Sequence, residues 1–114
     1  MKKSKFVLQK DSSVSDALKQ IDQNSSGFVL VEFKEKIIGV ITDGDIRRQL
    51  LDGLQLQDKI DQCITTDFSF AIEGDTRESI IKQLDSEVKF IPLLDKKLKL
   101  LKMCALNMAA KLVK

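Results

Sequence analysis

Short apolar runs alternate with polar stretches along the chain, and their spacing predicts strands and amphipathic helices in turn. Phe6-Val7-Leu8 is the first run, and a polar turn from Gln9 to Ser13 follows it. From Val14 to about Gln23 the apolar residues Val14, Leu18 and Ile21 recur on one helical face. Ser12 or Ser13 supplies the N-cap of that helix, and Asn24-Ser25-Ser26-Gly27 ends it. Phe28-Val29-Leu30-Val31 has the continuous apolar character of a buried strand. The charged turn Lys34-Glu35-Lys36 then leads into a second strand, Ile37 to Ile41, so the two strands are expected to form a hairpin. Asp43-Gly44 reads as a turn or breaker; beyond it Ile46, Leu50 and Leu54 return to helical spacing in a helix reaching about Leu51 and stopping at Asp52-Gly53. Leu56 to Ile64 reads as a short connecting helix, with Leu56, Ile60, Cys63 and Ile64 on one face.

The order of elements then begins again, 62 positions later. Without gaps Phe6 falls on Phe68, Leu8 on Phe70, Val14 on Thr76, Leu18 on Ile80, Phe28 on Phe90, Val31 on Leu93 and Lys34 on Lys96. A pattern shared at fixed offset predicts two copies of one supersecondary unit, each strand, helix, strand, strand, helix, burying their faces against each other. The expected fold class is therefore α+β, with a first motif over residues 1–55, a connector over 56–64 and a second motif over 65–114. Phe28 and Phe90, on matched strands, are expected in the core. At the same offset Gly39 becomes Leu101, Thr42 becomes Cys104 and Asp45 becomes Asn107, so the second copy is degenerate where the first is richest in polar groups. The tail, with Leu101, Cys104, Met108 and Leu112, reads as an amphipathic helix or a strand passing into one.

Composition narrows the chemistry. The 114 residues carry 19 basic and 17 acidic side chains, a net charge of +2, which makes no electrostatic case for nucleic acid. There is no Trp or Tyr for bases to stack on. No histidine is present, which removes the commonest general base, the usual nucleophile pairs and most zinc sites. Cys63 and Cys104 each lie among apolar residues and read as buried free thiols. No apolar run approaches the roughly 20 residues that cross a bilayer, and no secretory signal is evident, so a cytoplasmic chain without membrane contact is expected.

Candidate chemistry concentrates in Gly39-Val40-Ile41-Thr42-Asp43-Gly44-Asp45-Ile46-Arg47-Arg48, where a strand delivers a polar tip onto a helix N-terminus. Backbone N–H groups at such a tip are unpaired and favour an anion. Two copies of the unit, with Gly39-Val40-Ile41-Thr42-x-x-Asp45 closing the first, resemble a tandem pair of cystathionine-beta-synthase (CBS) domains, the Bateman module. Asp58-Lys59-Ile60 and Phe90-Ile91-Pro92-Leu93-Leu94-Asp95 support the likeness. The resemblance runs from about Phe6 to Lys111, and residues 39–48 look like the pairs attached to sugar-phosphate nucleotidyltransferases and arabinose-5-phosphate isomerases.

The resemblance implies an intramolecular pair with pseudo-twofold symmetry that does no chemistry of its own. It implies binding of an adenosine-containing ligand, AMP, ADP, ATP or S-adenosylmethionine, to control an associated enzyme of sugar-nucleotide or cell-surface polysaccharide metabolism. It also implies a homodimer. Thr42 would hydrogen-bond a phosphate, Asp45 would accept from ribose hydroxyls and Val40 would line the adenine pocket. Gly44 would allow close backbone approach, and Arg48 or Arg47 would offset the charge of Asp43 beside the phosphate. No metal, catalytic residue or obligatory cofactor is implied.

Two other readings stand beside this one. Thr42-x-x-Asp45 is also a helix capping box, which needs no ligand, and a ligand-free dimerisation or docking scaffold would use it so. An Asp-x-Asp metal-dependent phosphatase or glycosyltransferase fragment, built on Asp43 and Asp45, is the enzyme alternative; it leaves the repeat unexplained and lacks an evident set of partner acids.

Overall fold

The computed structural model describes residues 4–84 and 90–105. The chain divides into two compact units, Met1–Phe68 and Ser69–Lys114, each built around a three-stranded sheet.

In the first unit β1 (Val7–Gln9) runs parallel to β2 (Phe28–Phe33), which pairs antiparallel with β3 (Lys36–Thr42). Helices α1 (Val14–Asn24) and α2 (Asp43–Leu51) follow β1 and β3. Alternation along the strands puts Leu8, Val29, Val31 and Ile41 on the face that packs with Val14, Ala17 and Ile21 of α1 and Ile46 of α2. The hairpin turns on Lys34 and Glu35, both at positive φ (50° and 66°), the geometry of a two-residue turn that matches strand twist.

Both helices of this unit start on a reciprocal capping box. Ser13 Oγ accepts from the Asp16 N–H at 3.1 Å while the Asp16 carboxylate accepts from the Ser13 N–H at 3.1 Å. These bonds hold the Asp16 carboxyl below its ordinary pKa, the Ser13 backbone N–H being the main cause. Asn24, the buried polar residue of the unit, ties the end of α1 to the start of β2: its amide donates to the Lys5 and Phe28 carbonyls and its oxygen accepts from Ser26.

In the second unit β4 (Ala71–Ile72) is parallel to β5 (Phe90–Leu94), which pairs antiparallel with β6 (Leu100–Ala105); α3 (Arg77–Gln83) lies between β4 and β5 in sequence. The topology repeats that of the first unit, and a register shift falls at the same place, after Val31 in β2 and after Leu93 in β5.

The spacing between copies is not uniformly 62, however. Strand pairing sets Ala71 against Leu93 as Leu8 is set against Val31, and Thr76 caps α3 as Ser13 caps α1. The flanking elements therefore repeat at 63, and the central strand alone repeats at 62. The buried sets confirm this: Leu8, Ala17, Ile21, Val29 and Ile41 correspond to Ala71, Ile80, Leu84, Ile91 and Cys104. On the β6 side the cause is the turn. Asp95 and Lys99 close a loop of three residues, with Leu98 at φ 67°, where the first copy uses two. Gly39 thus corresponds to Lys102 rather than Leu101, and Thr42 to Ala105 rather than Cys104, since Ala105 pairs with Phe90 as Thr42 pairs with Phe28.

Other expectations are also revised. Asp43 and Gly44 are not a separate turn; they are the first residues of α2, because Thr42 caps the helix directly off the strand. The connector holds only a 3-10 turn, Ile60–Cys63, not a helix over 56–64; Leu56 is exposed, so an apolar helical face does not form there. Phe28 is half-buried and stacks on Phe6, and Phe90 is exposed, so these two rings sit at sheet margins instead of in the core. Cys63 and Cys104 are buried and unbridged, as expected, and burial pushes both thiols up. Residues 101–105 belong to a strand; the remainder of the tail, with Asn107, Met108 and Leu112, lies outside the described residues. Among the described residues no helix is long and apolar enough to cross a membrane.

Candidate functional site

The motif Gly39–Arg48 forms one continuous corner. β3 delivers Val40 and Thr42, two residues apart, to the sheet face opposite the core helices, and the chain enters α2 at once. Val40 is half-buried and sits opposite Leu30 in the ladder; Thr42 is exposed at the strand end.

Gly39 is explained by its neighbours. Thr65 forms an antiparallel bridge with Val40, donating N–H to the Val40 carbonyl at 2.8 Å and accepting from the Val40 N–H at 2.9 Å. A Cβ at position 39 would meet Ile64 Cγ2 at 2.5 Å and the Thr65 carbonyl oxygen at 2.8 Å. Only glycine lets the segment Ile64-Thr65 lie so close to the strand edge. Thr65, exposed and paired with Val40, is a neighbour of the site that the sequence pattern did not single out. Its signal would have been the glycine itself, which marks a close backbone approach within a strand.

At the helix start the capping box is fully made. Thr42 Oγ1 accepts from the Asp45 N–H at 3.1 Å, and Asp45 Oδ2 accepts from the Thr42 N–H at 3.0 Å. The Asp43 N–H donates to the Gly27 carbonyl at 2.9 Å. Both carboxylates are neutralised within the helix. Arg47 Nη2 donates to Asp43 Oδ2 at 2.8 Å, and Arg48 Nη2 to Asp45 Oδ1 at 2.6 Å. The Asp43 side chain is 53% exposed and its pair is a surface one, whereas the Asp45 side chain is only 18% exposed. Asp45 also lies near enough to the buried Cys63 to add to the effect of burial in raising that thiol's pKa.

Chemically the box uses only part of its donors and acceptors. A carboxylate offers about four acceptor positions, and two on Asp45 are taken by protein donors. Thr42 accepts through Oγ1, and its hydroxyl proton remains to donate outward. Capping and ligand binding are therefore compatible at these two residues. Among the described residues no His, Cys, Asp and Glu cluster has metal-binding geometry. At the far end of the same sheet a cleft of about 380 Å³ is occupied by its own pairings: Lys10 lies 5.4 Å over the Phe33 ring and 3.6 Å from Asp61, and Lys59 Nζ donates to the Asp11 carbonyl at 2.6 Å.

Comparison with known proteins bears on the fold. Residues 1–52 match the family model of the CBS domain. No curated protein matches the sequence. Among solved structures the chain is similar to a CBS domain pair/ACT domain protein from Thermotoga maritima, with TM-score 0.73 and 18% identity over 93% of this chain and 85% of that one. It is similar also to CbpB in complex with c-di-AMP, with TM-score 0.77 and 18% identity over 93% and 74% of the two chains. A third likeness is to the cytosolic domain of the Mg2+ channel MgtE in complex with ATP, with TM-score 0.73 and 10% identity over 94% of this chain and 44% of that one. At these identities the likeness is one of fold. The chain thus carries a CBS domain in its first 52 residues and has, as a whole, the α+β fold of a CBS domain pair.

Proposed function

We propose that the chain is a regulatory module without catalysis of its own, which binds an adenosine-containing nucleotide at the corner formed by Val40, Thr42, Asp43, Gly44, Asp45 and Arg48. The observation that carries this reading is the Thr42–Asp45 box, which keeps an outward hydroxyl donor and spare carboxylate acceptors at a helix N-terminus. That set suits a phosphate and a vicinal diol. The CBS match covers this corner, and proteins of the same fold are solved with c-di-AMP and with ATP.

The second motif, taken as 65–114 with 56–64 as connector, differs at the matching strand end. Ala105 stands where Thr42 stands in the first copy and has no hydroxyl. The site is accordingly single and lies on the first motif, over 1–55. The module is proposed to act in the cytoplasm as a homodimer joined to an enzyme of sugar-nucleotide or cell-surface polysaccharide metabolism, the setting that residues 39–48 resemble. A scaffold without ligand is the second reading, favoured by a capping box whose two N–H groups are satisfied by protein side chains.

Thermal denaturation with AMP, ADP, ATP and S-adenosylmethionine, each with and without Mg²⁺, separates the readings. Ligand that binds only the folded state raises stability by about 2.7 kcal/mol at a hundred times its dissociation constant. A rise in melting temperature with an adenosine compound is expected. No response to any of them leaves the scaffold, and hydrolysis of a generic phosphomonoester overturns both.

A further inference from the structure

We propose that the β5–β6 hairpin is a peripheral docking point for an anionic lipid bilayer, which its lysines meet end-on. Charge is spread unevenly along the chain. Residues 69–114 hold nine basic and six acidic side chains, residues 1–68 hold ten and eleven, and after Asp95 the sequence carries six lysines and no acid. Four of those six, Lys96, Lys97, Lys99 and Lys102, are exposed on this one hairpin. The acid at its base is turned into it. Asp95 Oδ1 accepts from the N–H groups of Lys97 at 2.8 Å and Lys99 at 2.9 Å, and the Asp95 N–H donates to the Lys99 carbonyl at 2.8 Å. That oxygen is thus committed to backbone donors that shape the turn. Among the described residues Lys96, Lys97 and Lys102 make no ion pair, either with Glu73 at the adjoining strand end or with another acid.

The kind of partner follows from shape and composition. A tight turn with Leu98 at φ 67° carries the lysines at the tip of the sheet, on a convex point. Successive residues of β6 point to opposite faces, which sets the half-exposed Leu101 and Lys102 on opposite sides of that tip. A point bearing charge and apolar surface on both sides fits a soft surface that closes round it. Lipid headgroups do so, with the ammonium groups at phosphate level and the leucines at the acyl boundary. Lysine suits such a diffuse anionic surface, since it lacks the planar fork that arginine offers a single bound phosphate. The tip from Lys96 to Lys102 has no aromatic ring on which nucleic-acid bases would stack. Among the described residues no helix is fit to cross a bilayer, so the contact is peripheral. It departs in this respect from the expectation of a chain without membrane contact.

The test is co-sedimentation of the full chain with vesicles of phosphatidylcholine alone and with about one third phosphatidylglycerol added. The hairpin variant combines Lys96→Gln, Lys97→Gln and Lys102→Gln. A control of equal net charge combines Lys19→Gln, Lys34→Gln and Lys36→Gln, all exposed in the first unit. Wild type is expected to bind only the anionic vesicles, and to weaken about tenfold or more from about 0.05 M to about 0.5 M salt. At about fivefold per lysine the hairpin variant is expected to bind about a hundredfold more weakly, and the control to stay within about threefold of wild type. Equal weakening in the control would reduce the effect to net charge and overturn the docking point. So would equal binding to both vesicle types, or none to the anionic ones at low salt. Binding of poly-glutamate or duplex DNA without vesicle binding, lost in the hairpin variant, would assign the hairpin to an acidic protein or a nucleic acid and overturn the membrane proposal.

Discussion

Gly39 and Thr42 show how much of the corner rests on single atoms. Gly39 is fixed by what lies beside it, a backbone carbonyl 2.8 Å and a side-chain methyl 2.5 Å from where its Cβ would be. Gly39→Ala must push the Ile64-Thr65 segment off the strand edge. It is expected to destabilise the protein by about 1–3 kcal/mol, the usual range for overpacking, in urea unfolding. A loss below the scatter of surface substitutions would mean that the connector does not dock on β3. The role of Thr42 and Asp45 as a cap was legible in the sequence, because a hydroxyl and a carboxylate three residues apart satisfy two N–H groups at a helix start. The Arg48 bond to Asp45 was not legible, since a helical position three residues on is compatible with many side-chain directions. The docking of Thr65 was also hidden, because it is a contact between residues 25 apart in the chain.

Among the elements, local patterns were read correctly where a single period decides. The first strand, the β2–β3 hairpin and α1 all follow from apolar runs and caps, whereas the parallel pairing of β1 with β2 is seen only in the structure. The repeat was visible too, but its offset was taken as constant, and only strand pairing reveals that a three-residue turn in place of two moves β6 by one position. In a strand such a slip exchanges inward and outward residues, which is why Cys104 is a core residue matching Ile41 and not a counterpart of Thr42. The corrected offset has a measurable consequence on α3. Ile80, matching buried Ala17, and Leu84, matching Ile21, fill the second core, while Ile81 is only partly buried. Ile80→Ala and Leu84→Ala are each expected to cost about 2–5 kcal/mol by chemical denaturation, with Ile81→Ala well below both. Equal losses at Ile80 and Ile81 would contradict this packing. The connector failed as a helix because periodicity alone cannot distinguish one turn of 3-10 structure from the start of a longer element.

For the molecule as a whole, two copies of one unit have kept the same topology and buried positions while their corners have diverged. The first copy retains Thr42, Asp45 and Arg48; the second has Ala105 at the matching strand end. One nucleotide per chain is the stoichiometry this asymmetry implies. The central claim, binding at the first corner, is tested most directly by calorimetric titration of AMP into wild type, Asp45→Ala and Ser13→Ala. The Ser13 variant removes the equivalent cap of α1, and each variant is expected to lose about 1 kcal/mol of stability by losing its capping box. Wild type and Ser13→Ala are expected to saturate at one AMP per chain, and Asp45→Ala to give no saturable heat. Unchanged binding in Asp45→Ala, or equal loss in Ser13→Ala, would place the ligand elsewhere and contradict the account.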